Sequence, residues 1–483
     1  MQVTIKEFYR EFTRALREGY AAIFAGAGLS RNSGFVNWKE LLREIAEDIN
    51  LNIEKETDLI ALTQYYYNER GGRNDINQTI INNFNQETTH NENIACLTRL
   101  PIFTYWTTNY DKLLEDSLNS YNKKVDVKIH STNLSTTLPQ RDAVIYKMHG
   151  DISDPANAVI SKDDYESYNM NRELFSTALK GDLVSKTFLF IGFSFQDPNL
   201  EYILSRIRIL LGKNQRSHYC FLKKVTKDDF DCEDDFKYAL IKQGLQIKDL
   251  GRYSINVLLI DSYEEITTIL LSLEKKYILN NIFISGSADV YGDAWVGKGE
   301  RFSAELGKML IKNNYKIISG IGHGVGSFVI SGALTEIMEN KRSKIDRYLC
   351  MRPFPYQDIN DEQLVKFKTT YRENMIKEAG ICIFLFGNKT INGKNIYADG
   401  VREEFEISKK LNKYLIPIGS TGFVTKEIFN EITNERKRFW YLQPEIDVLQ
   451  KSLNIDEILN SILRIINEIR AYDKYQSNKT DNA

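Results

Sequence analysis

The run SKTFLFIGFSF (185–195) constrains the fold most. It is long, apolar and bounded by turn signals. A strand that is apolar on both faces belongs inside a parallel sheet, with helices covering either side. The chain supplies the neighbours for such a sheet. AAIF (21–24), IFTYWTTNY (102–110), VDVKIH (125–130), AVIYKMHG (143–150), HYCFLKK (218–224) and INVLLID (255–261) read as further strands, separated by stretches of helical period. A second series follows: NIFISGSA (281–288), YKIISG (315–320), RYLCMRPFP (347–355), ICIFLFGN (381–388) and YLIPIGSTG (414–422). Strands alternating with helices predict an α/β fold. The expectation is two Rossmann-like domains with mostly parallel sheets, the first carrying helical insertions. The division is placed at 274–280. Residues 1–276 form the first domain, 281–475 the second, and the polar QSNKTDNA (476–483) a disordered tail.

Charge and cysteine usage narrow the function. Lys and Arg total 63 and Asp and Glu 65, a net charge of −2 that argues against a general nucleic-acid binder. The five cysteines, Cys96, Cys220, Cys232, Cys350 and Cys382, are scattered and contain no CxxC pair, which fits a reducing compartment and offers no zinc or redox motif. No run approaches the roughly 18 apolar residues of a membrane helix, and the start is charged and helical in period. A cytoplasmic protein without membrane contact is expected. The helix at 38–51 should bury Trp38, Leu41, Leu42, Ile45 and Ile49 on one face. The first helix presents Phe8, Phe12 and Leu16, either to another copy of the chain or to its own domain.

The chemistry collects at predicted strand ends, where ligands bind in open α/β sheets. In AAIFAGAGLS (21–30), Gly26 and Gly28 follow the strand directly, and the N–H groups opening the next helix suit a diphosphate. TTNYD (107–111) brings Asn109 and Asp111, KMHGD (147–151) brings His149 and Asp151, and GFSFQDPN (192–199) brings Ser194 and Asp197. Each also has a plain structural reading. Asn109 and Asp197 are good starters of helices, and Asp111 suits a buried hydrogen bonder.

Jointly these motifs resemble the sirtuin (Sir2-like) family: GAGxS, a T-x-N-x-D segment, an HG dipeptide and a later G-x-S loop, in that order. The resemblance implies an NAD site. Asn109 and His149 become the catalytic pair, and Ala25, Gly26, Ala27, Gly28 and Ser30 the cofactor turn. Asp111, Ser194 and Asp197 line the adenosine or ribose side. Two departures stand out. The paired CxxC zinc ribbon of sirtuin deacylases is missing, and SGFVNWKELL (33–42) stands where they carry G-I-P-x-F-R. Both favour hydrolysis of NAD to nicotinamide and ADP-ribose, with no metal, over deacylation or ADP-ribosyl transfer. A non-catalytic NAD-binding scaffold is the remaining alternative.

The second half resembles the SLOG family of Rossmann-like nucleotide-binding modules, through FISGSA (283–288) and SGIGHGVGS (319–327). It lacks the P-G-G-x-G-T-x-x-E loop of phosphoribohydrolase relatives, so binding is expected rather than catalysis. Matching residues assigns the ligand site to Ser285, Gly286, Gly322, Gly324, Arg352, Arg372, Lys389 and Glu404, with Lys394 a rival to Lys389. Glu403 and Glu404 also suit the first turn of a helix. The two halves together resemble the effector family of the Thoeris anti-phage defence system. That resemblance implies a cyclic ADP-ribose isomer made by a TIR-domain partner protein. The isomer binds the SLOG domain and switches on NAD depletion in a homotetramer or higher assembly. No nucleic acid is implied.

Overall fold

The computed structural model describes residues 2–193, 195, 197–342, 344–354 and 361–480. The chain divides into two compact units, Met1–Glu274 and Lys275–Ala483.

In the first unit, seven strands form one sheet: β1 (Ala21–Ala25), β2 (Thr104–Thr107), β3 (Val125–Lys128), β4 (Ala143–Lys147), β5 (Thr187–Ile191), β6 (His218–Lys223) and β7 (Ile255–Ile260). The order is β3-β4-β2-β1-β5-β6-β7, and every pairing is parallel. Both β1 and β5 are buried along their whole length, as their unbroken apolar runs require. Phe24, Trp106, Phe188 and Phe190 fill one side. Trp106 stacks on Tyr146 with centroids 4.2 Å apart, and its indole N–H donates to Asp182 Oδ2 at 2.8 Å. From β1 the chain moves outward to β2, then crosses back to β5 on the other side. The strand order therefore reverses between β1 and β5, and a crevice opens at their carboxyl ends.

The first helix, Ile5–Glu18, packs on its own unit. Phe8 and Phe12 are fully buried, and Phe8 sets its ring 5.3 Å from Tyr219 of β6. Its apolar face is not free for a second copy. The helix read over 38–51 is two pieces, Trp38–Leu41 and Arg43–Asp48, broken at Leu42.

In the second unit, β8 (Asn281–Ser287), β9 (Lys316–Ser319), β10 (Leu349–Met351), β11 (Ile381–Phe386) and a fifth long-range partner at Tyr414–Pro417 make a parallel sheet. Its order is β10-β9-β8-β11 followed by that fifth strand, so its reversal lies between β8 and β11. Two short strands, β12 (Asn388–Ile391) and β13 (Lys394–Tyr397), form an antiparallel hairpin after β11; the fifth strand is accordingly β14. Asn392 and Gly393 link them with φ of 51° and 73°. Positive φ at both central residues is what a two-residue hairpin turn of the right twist demands. The final helix spans Ile455–Thr480. Among the described residues, no helix is long and apolar enough to cross a membrane.

Candidate functional site

Three glycines close the β1/β5 crevice. Gly26 and Gly28 follow β1, and Gly192 follows β5. A Cβ on Gly28 would lie 2.9 Å from the Gly192 Cα, and Cβ atoms on Gly26 or Gly192 would meet backbone atoms at under 3.0 Å. Gly192 also has φ +65°, the left-handed region that glycine alone enters freely. Gly26 N–H donates to Ile191 O and Gly28 N–H to Gly192 O, both at 2.9 Å. These two N–H groups are thus engaged by the last residue of β5 and the glycine after it rather than open to a diphosphate. The glycines of the turn are explained first by this close crossing.

Asn109, in the loop after β2, reaches across to that turn. Its Nδ2 donates to Gly26 O at 3.1 Å and to Ser30 Oγ at 2.9 Å. A carbonyl can only accept, so the amide orientation follows. Both Nδ2 hydrogens are used, and Oδ1 is left as the acceptor the site presents. Ser30 in turn donates from Oγ to Asp111 Oδ2 at 2.7 Å. Asp111 is buried, which pushes its carboxyl above the ordinary carboxylate range. Its Oδ1 accepts from Leu113 N–H at 3.1 Å. Asn109 does not cap the helix Leu113–Ser120, whose cap residue is Lys112, and Asp111 takes the part of a buried hydrogen bonder.

His149 follows β4, the strand beside β2, and only 2% of the residue is exposed. Tyr165 and Tyr168 stand edge-on to the imidazole, with centroids at 5.5 and 6.4 Å. Nε2 lies 2.9 Å from Asp197 Oδ2 but lacks the alignment of a hydrogen bond. Asp197 also caps the helix Pro198–Leu211, Oδ1 accepting from Asn199 N–H at 2.9 Å and Leu200 N–H at 3.0 Å. Burial alone would push its carboxyl up. The contact with His149 and these two donors outweigh it and hold Asp197 below the usual range. Ser194, also read as a site residue, lies outside the described residues. Ala25 is buried at the end of β1, while Ala27 is half-buried and Gly28 exposed in the turn.

Two side chains escaped the sequence reading. Asn199 Nδ2 is buried without a hydrogen-bond partner, as is His149 Nε2. Buried polar atoms without partners are rare and mark places that a ligand or water completes. Lys147 is fully buried between the loops that carry Asn109 and His149. The signals were present, since Asn199 ends GFSFQDPN and Lys147 opens KMHGD, but neither type stands out without the fold.

In the second unit the carboxyl end of β8 with Ala288 and the loop after β9 cross just as closely. A Cβ on Gly322 or Gly324 would meet Gly286 O or Ala288 O at under 3.0 Å. Ser285 Oγ donates to the buried Glu404 Oε2 at 2.5 Å. Burial pushes the Glu404 carboxyl up. Arg372 Nη1 donates to Glu403 Oε2 at 2.7 Å, and its Nε lies 3.5 Å from Glu404 Oε1 without a hydrogen bond. The guanidinium sits 4.7 Å from the Phe354 ring centroid. Glu404 is therefore a buried ligand of Ser285, not a helix-start ornament. Lys389 on β12 pairs with Asp399, and Lys394 is exposed at the start of β13. Arg352 is tied to Glu378 at 2.8 Å and to Cys350 Sγ at 3.2 Å. A cavity of about 370 Å³ opens beside the loop, lined by Asp289, Tyr291, Glu300, Gly322, His323 and Gly324 among others. Among the described residues no cluster of His, Cys, Asp or Glu is placed to hold a metal ion.

Comparison with known proteins matches these two parts separately and together. A SIR2-like domain family matches residues 104–243, and the Sir2- and TIR-associating SLOG family matches 265–469. The NAD(+) hydrolase ThsA of Cytobacillus dafuensis is 46% identical over 475 residues, covering 96% of each chain. The chain belongs to the ThsA family. The ThsA of Bacillus cereus (strain MSX-D12) is 44% identical, covering 96% of this chain and 98% of that one. The ThsA of Acinetobacter baumannii (strain 532279) is 47% identical over 433 residues, covering 88% and 90%. Membership of the ThsA family accounts for both halves of the chain: a SIR2-like sheet with its crevice, and a SLOG sheet with its glycine loop.

Proposed function

We propose that the first unit hydrolyses NAD to nicotinamide and ADP-ribose in anti-phage defence. The observation that carries this is near-full-length similarity to proteins named NAD(+) hydrolase ThsA, over a chain with Asn109 and His149 on neighbouring strand ends. The bond from ribose C1′ to the pyridinium nitrogen breaks with its electron pair going to nicotinamide, which leaves neutral. Positive charge develops on the ribose, as in other glycosidic cleavage. Asn109 Oδ1, an acceptor by the geometry above, holds a ribose hydroxyl or the attacking water. Water oxygen bonds to C1′, and His149 takes the proton, a role suited to imidazole near neutral pH. Ala25, Gly26, Ala27, Gly28, Ser30, Asp111, Ser194 and Asp197 shape the cofactor side.

The second unit, in this reading, binds a cyclic ADP-ribose isomer produced by a TIR-domain partner. Ser285, Gly286, Gly322, Gly324, Arg352, Arg372, Lys389 and Glu404 form the site, the cations meeting the phosphates. Binding switches on the first unit within a cytoplasmic homotetramer or larger assembly, and NAD is depleted in infected cells. A switch from 1:99 to 99:1 needs about 5.5 kcal/mol of differential binding between the two states.

The test is nicotinamide release from NAD by the full chain, alone and with a panel of cyclic ADP-ribose isomers. Release that appears with one isomer, and that Asn109→Ala and His149→Ala each reduce at least a hundredfold, is expected. Full activity in both variants would refute the site. Release dependent on an acylated peptide would point to deacylation, and NAD binding without turnover under every isomer would point to a scaffold.

A further inference from the structure

Arg172 is buried, 7% exposed, and its guanidinium is paired with no carboxylate among the described residues. It opens the helix Glu173–Ser185 and reaches back to three backbone oxygens. Nη1 donates to Ile129 O at 3.0 Å, after β3, and to Lys147 O at 3.4 Å, at the end of β4. Nη2 donates to Asn157 O at 2.9 Å. A guanidinium has five N–H donors and no acceptor. Three are spent on these oxygens. The other two sit on Nε and Nη2, and neither has an acceptor among the described residues. Nε and Nη2 form one edge of the guanidinium. Such an edge takes two oxygens of a carboxylate or phosphate side by side.

Buried charges are ordinarily paired. The two carboxylates whose charge bears on Arg172, Asp154 and Asp164, are committed elsewhere. Arg73 Nη1 donates to both oxygens of Asp164, at 2.9 and 2.8 Å. Asp154 accepts from Asn157 Nδ2 at 2.9 Å and lies 3.2 Å from His130 Nε2. Arg172 instead lines a cavity of about 270 Å³, together with Thr132 and Asn171 among others. Thr132 and Asn171 are exposed, and their side chains donate to nothing among the described residues. Gly26, Asn109, Asp111, His149 and Asp197 do not line this cavity. Its volume falls below the roughly 300–1,000 Å³ of ordinary ligand pockets, which excludes a dinucleotide and suits a phosphate carrying at most a pentose. A carboxylate would spend both oxygens on Arg172. A phosphate keeps others for Thr132 and Asn171.

We propose that this cavity binds a small phosphate-bearing anion, held by the Nε and Nη2 edge of Arg172 and by the Thr132 hydroxyl. The experiment follows broadening of the phosphorus-31 line of inorganic phosphate, and separately of ribose 5-phosphate, titrated with the full chain at constant ionic strength. Saturable binding is expected, and it should persist in Arg372→Ala, which removes a cation of the second unit. Arg172→Lys keeps the charge but not the fork and should weaken binding at least about tenfold. Thr132→Val should weaken it roughly threefold to tenfold, the loss of one hydrogen bond, with an unchanged melting temperature. Asn171→Asp sets an anion on the wall and should weaken it further. If Arg172→Lys fails to fold, these two exposed substitutions carry the test. Tighter binding of ribose 5-phosphate would identify a sugar phosphate as the ligand, and equal binding the free ion. No saturable binding, binding lost in Arg372→Ala, or binding unchanged in folded Arg172→Lys or in both exposed variants would overturn the proposal. Displacement of phosphate by an equal concentration of acetate would overturn the assignment to phosphate.

Discussion

Replacing Gly192 by alanine tests whether the crossing of β1 and β5 is as tight as described. The substitution carries two costs. At φ +65° an alanine is strained by about 1–2 kcal/mol. Its Cβ would also press on Leu29 N and Gly28 C, which are backbone atoms with no rotamer to yield. Overpacking of this kind adds about 1–3 kcal/mol. Two comparison variants separate these terms. Gly19 has φ +76° with nothing within 4 Å of a built Cβ, so Gly19→Ala carries strain alone. Gly28 has no positive φ and a Cβ contact at 2.9 Å, so Gly28→Ala carries contact alone. For a unit of this size, each kcal/mol moves the melting temperature by roughly 2–4 °C. Calorimetry of the full chain should therefore show Gly192→Ala melting roughly 2–12 °C below Gly19→Ala, with Gly28→Ala between wild type and Gly192→Ala. Gly192→Ala within about 2 °C of Gly19→Ala would mean that the turns do not interlock, and the account of all three glycines would fall.

Asp197→Asn keeps a good helix cap but removes the carboxylate from His149, so stability should change by less than about 1 kcal/mol. Nicotinamide release should fall at least about tenfold; unchanged turnover would make Asp197 only a cap. Acid stability follows from Asp126, Asp151 and Asp164, each held below the ordinary range even though burial alone would raise it. Their stabilisation is present above the unfolded value of about 3.9 and is lost as pH falls through the lower folded values. Asp111 and Glu115, raised by burial, act with the opposite sign. Urea midpoints measured against pH should drop below about pH 4, and Asp164→Asn should flatten that drop. Arg372→Ala leaves Glu403 and Glu404 without their cation and should abolish calorimetric binding of a cyclic ADP-ribose isomer. Arg372→Lys should not restore it, because a point charge cannot replace a planar fork stacked on Phe354.

Both sheets were legible because parallel strands buried on two faces leave unbroken apolar runs, as in TFLFI and ICIFLF. The candidate site was legible as motifs, since Asn109, Asp111, His149 and Asp197 each follow or start an element at a strand end. What each does locally was less so. Asp197 doubles as a cap, and only the folded chain shows that it turns its second oxygen to His149. The meaning of Gly26 and Gly28 depended on Gly192, more than 160 residues away, which no local pattern reveals. The break at Leu42 interrupts a periodic apolar face whose period continues through it. The hairpin after β11 was readable in principle: TINGKNI contains Asn-Gly between strand-forming residues.

The strand order also sets a timetable for synthesis. β1 gains its first partner, β2, when residue 107 has been made, but its other side waits for β5, which ends at residue 191. At about 5–20 residues per second on the ribosome, that interval is roughly 4–17 s. Through its second half, from residue 149 onward, the loops bearing Asn109 and His149 are already made while the central strand still has one open edge. Gly26 and Gly28 have nothing to lock against until Gly192 arrives. The nascent chain therefore carries the chemical groups of the crevice well before it carries the crevice.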